Sequence, residues 1–151
     1  MPQPEKIQPT SLGDYLEIMS KAVFQSGISW RVVEAKWSGI KEAFKDFDTE
    51  VVAGFSEPEL DDLCQDTRVI RNRRKLSAIV SNAQRMGELD EKHGGFQRYL
   101  RSHPDFSSTV QDIRKQFKFM GDTGTYFFLH VVGEEVPPHD ECFAARKGKP
   151  A

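Results

Sequence analysis

Two stretches of the sequence combine residue types and spacing that could do chemistry. The first is Arg68-Val69-Ile70-Arg71-Asn72-Arg73-Arg74-Lys75, which places five basic side chains in eight residues. A long helix starts at about Asn72, so Arg71, Arg73, Arg74 and Lys75 cluster at its entry, where side chains and free backbone N–H groups together suit a phosphate. Cations at a helix N-terminus oppose its macrodipole. A bound anion would relieve that opposition; the alternative is a solvated helix end. The second stretch is Phe117-Lys118-Phe119-Met120-Gly121-Asp122-Thr123-Gly124, read as two helices joined by a tight Gly-containing turn. The backbone around Met120, Gly121, Thr123 and Gly124 can hold a DNA phosphate without net positive charge. A plain connector is the other reading of the same turn.

The elements that must position these groups are helical. Leu12, Tyr15, Leu16, Met19 and Val23 recur at three- and four-residue spacing after a Thr10 or Ser11 cap, and Gly27 ends that helix. Ser29 caps a second helix whose apolar stripe is Trp30, Val33, Trp37, Ile40 and Phe44. Two short helices follow, over 50–55 and from Ser56-Glu57-Pro58-Glu59 to Leu63. The longest runs from about Asn72 through Leu89 to Gly94-Gly95. Further helices are expected at 96–100 and at 110–117, the latter capped by Ser107 or Ser108 after a break at His103-Pro104-Asp105. The aromatic, β-branched run 126–132 has strand character, but a lone strand would have no partner for its backbone groups. Helix is the reading. The fold class is therefore all-α.

The domain organisation is an extended lead-in over 1–10, a helical domain over 11–140 and an irregular tail over 141–151. At 151 residues, 38% hydrophobic and with a net charge of −2, the chain suits one globular domain. Two cysteines exclude a disulfide scaffold, and no stretch approaches the roughly 20 apolar residues that span a bilayer. The lead-in MPQPEKIQPTS does not read as a signal peptide, which leaves the cytoplasm as the expected location. With a net negative charge, nucleic-acid contact has to come from a local basic patch. Cys64 reads as a small core residue beside Leu60 and Leu63.

Several blocks, taken together, resemble a known family. They are Gln25-Ser26-Gly27-Ile28-Ser29-Trp30, Phe44-Lys45-Asp46-Phe47-Asp48 with Val51-Val52-Ala53, Leu63 to Asp66, and Ile70 to Leu76 with Ala78-Ile79 and Asn82-Ala83. Phe117 to Gly121 with Thr123, Tyr126 and Phe128 completes the set. From about Leu12 to Gly133 the sequence is similar to the DNA-3-methyladenine glycosylase I family. The resemblance implies a helix-hairpin-helix DNA glycosylase fold and removal of alkylated purines from DNA by N-glycosidic bond hydrolysis in base-excision repair. Such enzymes take the base out of the stack and hold it in a pocket. The implied partner is double-stranded DNA with alkylated bases, bound by a monomer that makes no membrane contact.

By that resemblance Trp30 falls on the pocket tryptophan, whose face attracts a cationic methylated purine; on its stripe alone it reads as core. Gln25 lies on the pocket side of the first helix, able to reach a base edge or to act as a buried cap. Ala22 stands where the family carries a pocket glutamate. The family's zinc ligands and N-terminal tyrosines also lack counterparts: no Cys or His lies in the lead-in, and His139 and Cys142 are three residues apart rather than four. Two ligands do not make a structural zinc site, so neither a metal nor another cofactor is expected. Asp140, after Val136-Pro137-Pro138-His139, is the candidate replacement carboxylate, to stabilise developing sugar cation or activate water. An ordinary loop carboxylate is its alternative, and Glu141 a second candidate. A glycosylase is thus the first expectation. The second is a catalytically impaired relative that keeps the fold and binds DNA or another ligand without base release. A small interaction domain unrelated to DNA would require the blocks to coincide by chance.

Overall fold

The computed structural model describes residues 6–136 and contains eight α-helices and no strand among them. They are α1 (Leu12–Gln25), α2 (Trp30–Ala43), α3 (Thr49–Ala53), α4 (Glu57–Gln65), α5 (Arg73–His93), α6 (Phe96–Leu100), α7 (Phe106–Gln116) and α8 (Asp122–Val131). Asp140, Glu141, the His139/Cys142 pair and the tail over 141–151 lie outside the described residues. None of the described helices is long and apolar enough to cross a membrane.

Side-chain caps set most of the boundaries. Ser11, Ser29, Asp48, Ser56 and Asn72 each accept a backbone N–H from the first turn of the following helix, satisfying donors that the helix itself leaves free. Ser56 and Glu59 form a full capping box. α7 begins earlier than the serines suggest, because Asp105 accepts the Ser108 N–H at 2.8 Å and takes the cap. The run at 126–132 is helical as part of α8 through Val131, with Val132 as its C-cap. Residues 6–10 are irregular, and the Ile7 N–H donates to Val131 O at 2.7 Å, tying the lead-in to the end of α8.

The long helix α5 is the spine, with α1, α3, α4 and α6 packed along it and α8 on the far side of α1. Its buried face carries Leu76, Ile79, Val80, Ala83, Met86 and Leu89. Trp37, Phe47 and Phe44 stack in sequence, with centroids 5.4 and 5.3 Å apart. To insert Phe47, residues Lys45, Asp46 and Phe47 form a 3-10 turn with φ near +57° throughout, a conformation that costs L-residues roughly 1–2 kcal/mol each. Burial of Phe47, at about 1.5–3 kcal/mol, and its stacking on Trp37 and Phe44 offset part of that cost. Gly13 permits the approach, since a Cβ there would lie 2.6 Å from Phe47 O.

Candidate DNA-binding face and base crevice

The basic run does not act as one patch. Arg71, Arg73 and Arg74 are exposed, but Lys75 is only 5% exposed. Its ammonium turns inward and donates to Phe24 O at 2.9 Å and to Ser26 O, both at the end of α1. A cation there satisfies carbonyls that the helix leaves open and meets the negative end of its dipole. Burial pushes the Lys75 ammonium below the usual lysine range. This geometry removes Lys75 from the candidate phosphate ligands and makes it the strut that fixes the α1–α2 turn to the start of α5. Arg73 reaches α4 instead, pairing with Glu57 at 2.7 Å and with Asp61. Two carboxylates already neutralise it. Arg74 lies over the Phe119 ring, its guanidinium carbon 6.0 Å from the centroid, so this side chain joins the helix start to the hairpin.

The hairpin also departs from its sequence reading. α8 starts at Asp122, so Thr123 and Gly124 are helical rather than part of the turn. The left-handed residue is Phe119, at φ +60°, while Gly121 is extended and a Cβ there would meet nothing. Phe119 is held in this unusual state by its neighbours. Asn82, buried on α5, donates to Lys118 O at 3.1 Å and accepts the Lys118 N–H at 2.8 Å. This reciprocal pair pins the turn to the spine. Asn82 had no role assigned from the sequence, although it shares one face of α5 with Lys75 and Ile79, a spacing that could have revealed both polar contacts.

Gly121 caps α8 without a side chain, whereas every other described helix of nine or more residues has a side-chain cap. Gly121 offers no side chain to the Thr123 and Gly124 amides in the first turn of α8, and a helix start of this kind suits an anion. The Asp122 carboxylate beside them would repel one, but Arg114 pairs with it at 3.0 Å. Arg114, Lys115, Phe119, Met120 and Gly121 line an open depression of about 470 Å³, with Ser26 of the α1–α2 turn on its rim.

Within the first two turns of α8 from the hairpin, Gly124 faces Ala22 and Phe127 meets Trp30. Ala22 is 3% exposed, and a Cβ on Gly124 would lie 3.4 Å from its Cβ. No carboxylate occupies this position. Trp30 opens α2, half-buried, with its ring edge-to-face against Phe127 of α8 at 5.1 Å. Trp30 is thus neither fully core nor free. Gln25, half-buried, is the last residue of α1. Ile28, preceded by Gly27 at φ +80°, projects as an exposed apolar side chain from the turn between them. Among the described residues no group of three or more His, Cys, Asp or Glu side chains is placed to hold a metal.

Comparison with known proteins agrees with this arrangement. Residues 13–116 match the model of the methyladenine glycosylase family. The DNA-3-methyladenine glycosylase of Haemophilus influenzae is 27% identical over 130 residues, covering 72% of this chain and 70% of the relative. DNA-3-methyladenine glycosylase 1 of Escherichia coli is similar to the same extent. A crystal structure of 3-methyladenine DNA glycosylase I superposes with a TM-score of 0.74 at 25% identity, covering 84% of this chain and 81% of the other. A solution structure of 3-methyladenine DNA glycosylase I gives 0.69 at 25% identity over 87% and 79%. With the family's motifs, its helical fold and most of its length in common, this chain belongs to the methyladenine glycosylase family.

Proposed function

We propose that this chain is a DNA glycosylase that extrudes alkylated purines of the 3-methyladenine type and hydrolyses their N-glycosidic bond. The observation that carries the reading is Trp30, a half-buried aromatic whose edge-to-face contact with Phe127 opens next to the hairpin. Opening that contact lets a base stack on the indole face, to which a cationic ring is attracted. Arg71, Arg74, Lys115 and the first amides of α8 hold backbone phosphates of the duplex. Exposed Ile28 is placed to fill the gap that the extruded base leaves, as apolar side chains do when they part base steps.

An alkylated purine carries positive charge, and its departure with the electron pair of the glycosidic bond neutralises that charge. Little proton transfer to the leaving group is needed. The remaining task is to stabilise positive charge on the sugar and to accept the proton of the attacking water, which a carboxylate does. Ala22 cannot serve. Asp140 is proposed for this task, with Glu141 as its neighbour.

Single-turnover release of bases from methylated duplex DNA tests the reading. Free 3-methyladenine is expected as product, with release lost in Trp30→Ala and in Asp140→Asn. An unchanged rate in Asp140→Asn removes that residue from the reaction. The methyl of Ala22 where the family carries a glutamate supports a second reading, a DNA-binding relative that no longer releases bases. Duplex binding without any released base would favour it.

A further inference from the structure

α1 and α2 run antiparallel, and their facing side chains form a polar ladder. At its far end Glu17 accepts the Trp37 indole N–H at 2.9 Å and pairs with Lys41 at 3.5 Å. One turn on, the Lys21 ammonium lies 5.1 Å from the Trp37 ring centroid and 3.6 Å from the Glu34 carboxylate. The next rung in this register brings Gln25 opposite Trp30. At about 100° per residue, Gln25 falls between Ala22 and Lys21 on the circumference of α1. Glu34 is one turn from Trp30 on α2 and shares its face. The ladder therefore places a carboxylate, held by Lys21, one helical turn from Trp30.

We propose that Glu34 is a specificity-determining residue of this crevice, its carboxylate accepting a hydrogen bond from the 6-amino group of an extruded adenine-type base. This rests on the reading above that Trp30 stacks on the extruded base. Lys21 is a positioning residue. It holds one carboxylate oxygen from the α1 side, and its own place is fixed by the Trp37 ring. Glu34 has the freedom to turn toward a ligand, since its side chain is 47% exposed while that of Lys21 is 20% exposed. An ionised carboxylate only accepts hydrogen bonds. It favours an amino group at position 6 and opposes a 6-carbonyl, whose oxygen it would face. The same charge draws in a cationic alkylated ring.

The test compares release of 3-methyladenine and 3-methylguanine from one methylated duplex. In Glu34→Gln, 3-methyladenine release is expected to fall about tenfold to a hundredfold, the range for a lost charged hydrogen bond. Release of 3-methylguanine should hold or rise, because the amide can donate to a carbonyl. Lys21→Met should lower 3-methyladenine release severalfold, with rescue by Lys21→Arg, which a purely structural lysine would not show as a change in base preference. If Glu34→Gln keeps the parent rate and preference while Trp30→Ala loses release, the role of Glu34 is overturned and the glycosylase reading stands. If the parent chain releases no base, calorimetric titration with free 3-methyladenine decides. Binding that weakens at least tenfold in Glu34→Gln sustains the role, and absence of binding, or equal binding by both proteins, overturns it.

Discussion

The two basic clusters of this chain look alike in sequence but differ in the charge they offer. At the start of α5, Arg71 to Lys75 has the higher density, yet Lys75 is spent on two carbonyls of the α1 end and Arg73 on two carboxylates of α4. Around the end of α7, Arg114, Lys115 and Lys118 are sparser, and Arg114 is itself paired with Asp122 at 3.0 Å. Two of them line the depression beside the hairpin, and the third is pinned there through its peptide by Asn82. Charge that is already compensated inside the fold releases few counterions from DNA, because the phosphate has to compete with an existing partner. Density of basic residues is therefore a poor guide to a phosphate site, and the geometry of the hairpin a better one.

The sharpest way to break this comparison is to remove Lys75. Lys75→Met leaves the buried Phe24 carbonyl and the part-buried Ser26 carbonyl without their donor and should destabilise the fold by roughly 2–4 kcal/mol, read as a lower urea midpoint. A stable variant with weakened DNA binding would instead return Lys75 to the phosphate site. Next in size is Asn82→Ala. Loss of both hydrogen bonds to Lys118 should cost about 1–3 kcal/mol and expose the hairpin at Phe119 to proteolysis. If hairpin and stability are both unchanged, the clamp is not what holds Phe119 left-handed. Smaller again are the arginines. Arg74→Ala should reduce the slope of log affinity against log salt by about one, as expected for one phosphate contact, and Arg73→Ala should leave it unchanged. Equal slopes for the two variants would erase the distinction between compensated and available charge.

Much of the helical frame is legible in the sequence because it is written in local chemistry. Caps at Ser29, Ser56 and Asn72 and the apolar stripes of α1, α2 and α5 depend on neighbours within a few residues. The conformation at 126–132 was open to propensity alone and was decided by the lack of a partner strand. What escaped depends on distant contacts. Nothing near Lys45–Phe47 announces three positive φ values; the reason is the slot between Trp37 and Phe44. Gly121 drew attention as the turn residue, while Asn82, far along the chain, is what holds the turn with Phe119 as its left-handed member. The site was legible in part. Trp30 is singled out only through the resemblance, and both its contact with Phe127 and the Lys21–Glu34 pair require knowing how α1, α2 and α8 face one another.

The smallest effect concerns charge that neither cluster uses, and it serves as the control. Asp112 on α7 accepts from the Tyr99 hydroxyl at 2.6 Å, contacts His103 Nε2 at 3.0 Å and accepts from Gln116 at 3.4 Å. Burial alone would raise its pKa, but the hydrogen bonds from Tyr99, His103 and Gln116 outweigh burial and hold the carboxyl below the usual range. Folding then favours the ionised form. The stability this provides is present above the unfolded carboxyl value, near 4, and is lost as the pH falls through the lower folded value. Asp112→Asn should therefore be less stable than the parent at neutral pH, and the gap should narrow as the pH falls below about 4, measured by urea denaturation across the acid range. Asp66 and Asp105 are lowered too, by Arg68 and by the Ser108 N–H, and remain in both proteins, so the difference between the two curves isolates Asp112. DNA affinity at neutral pH should be unaltered, since Asp112 turns its carboxylate toward Tyr99 and His103 rather than toward the hairpin. A constant gap across the acid range would mean that Asp112 is not preferentially ionised by folding, and a loss of DNA binding would mean that compensated charge at a distance does reach the hairpin.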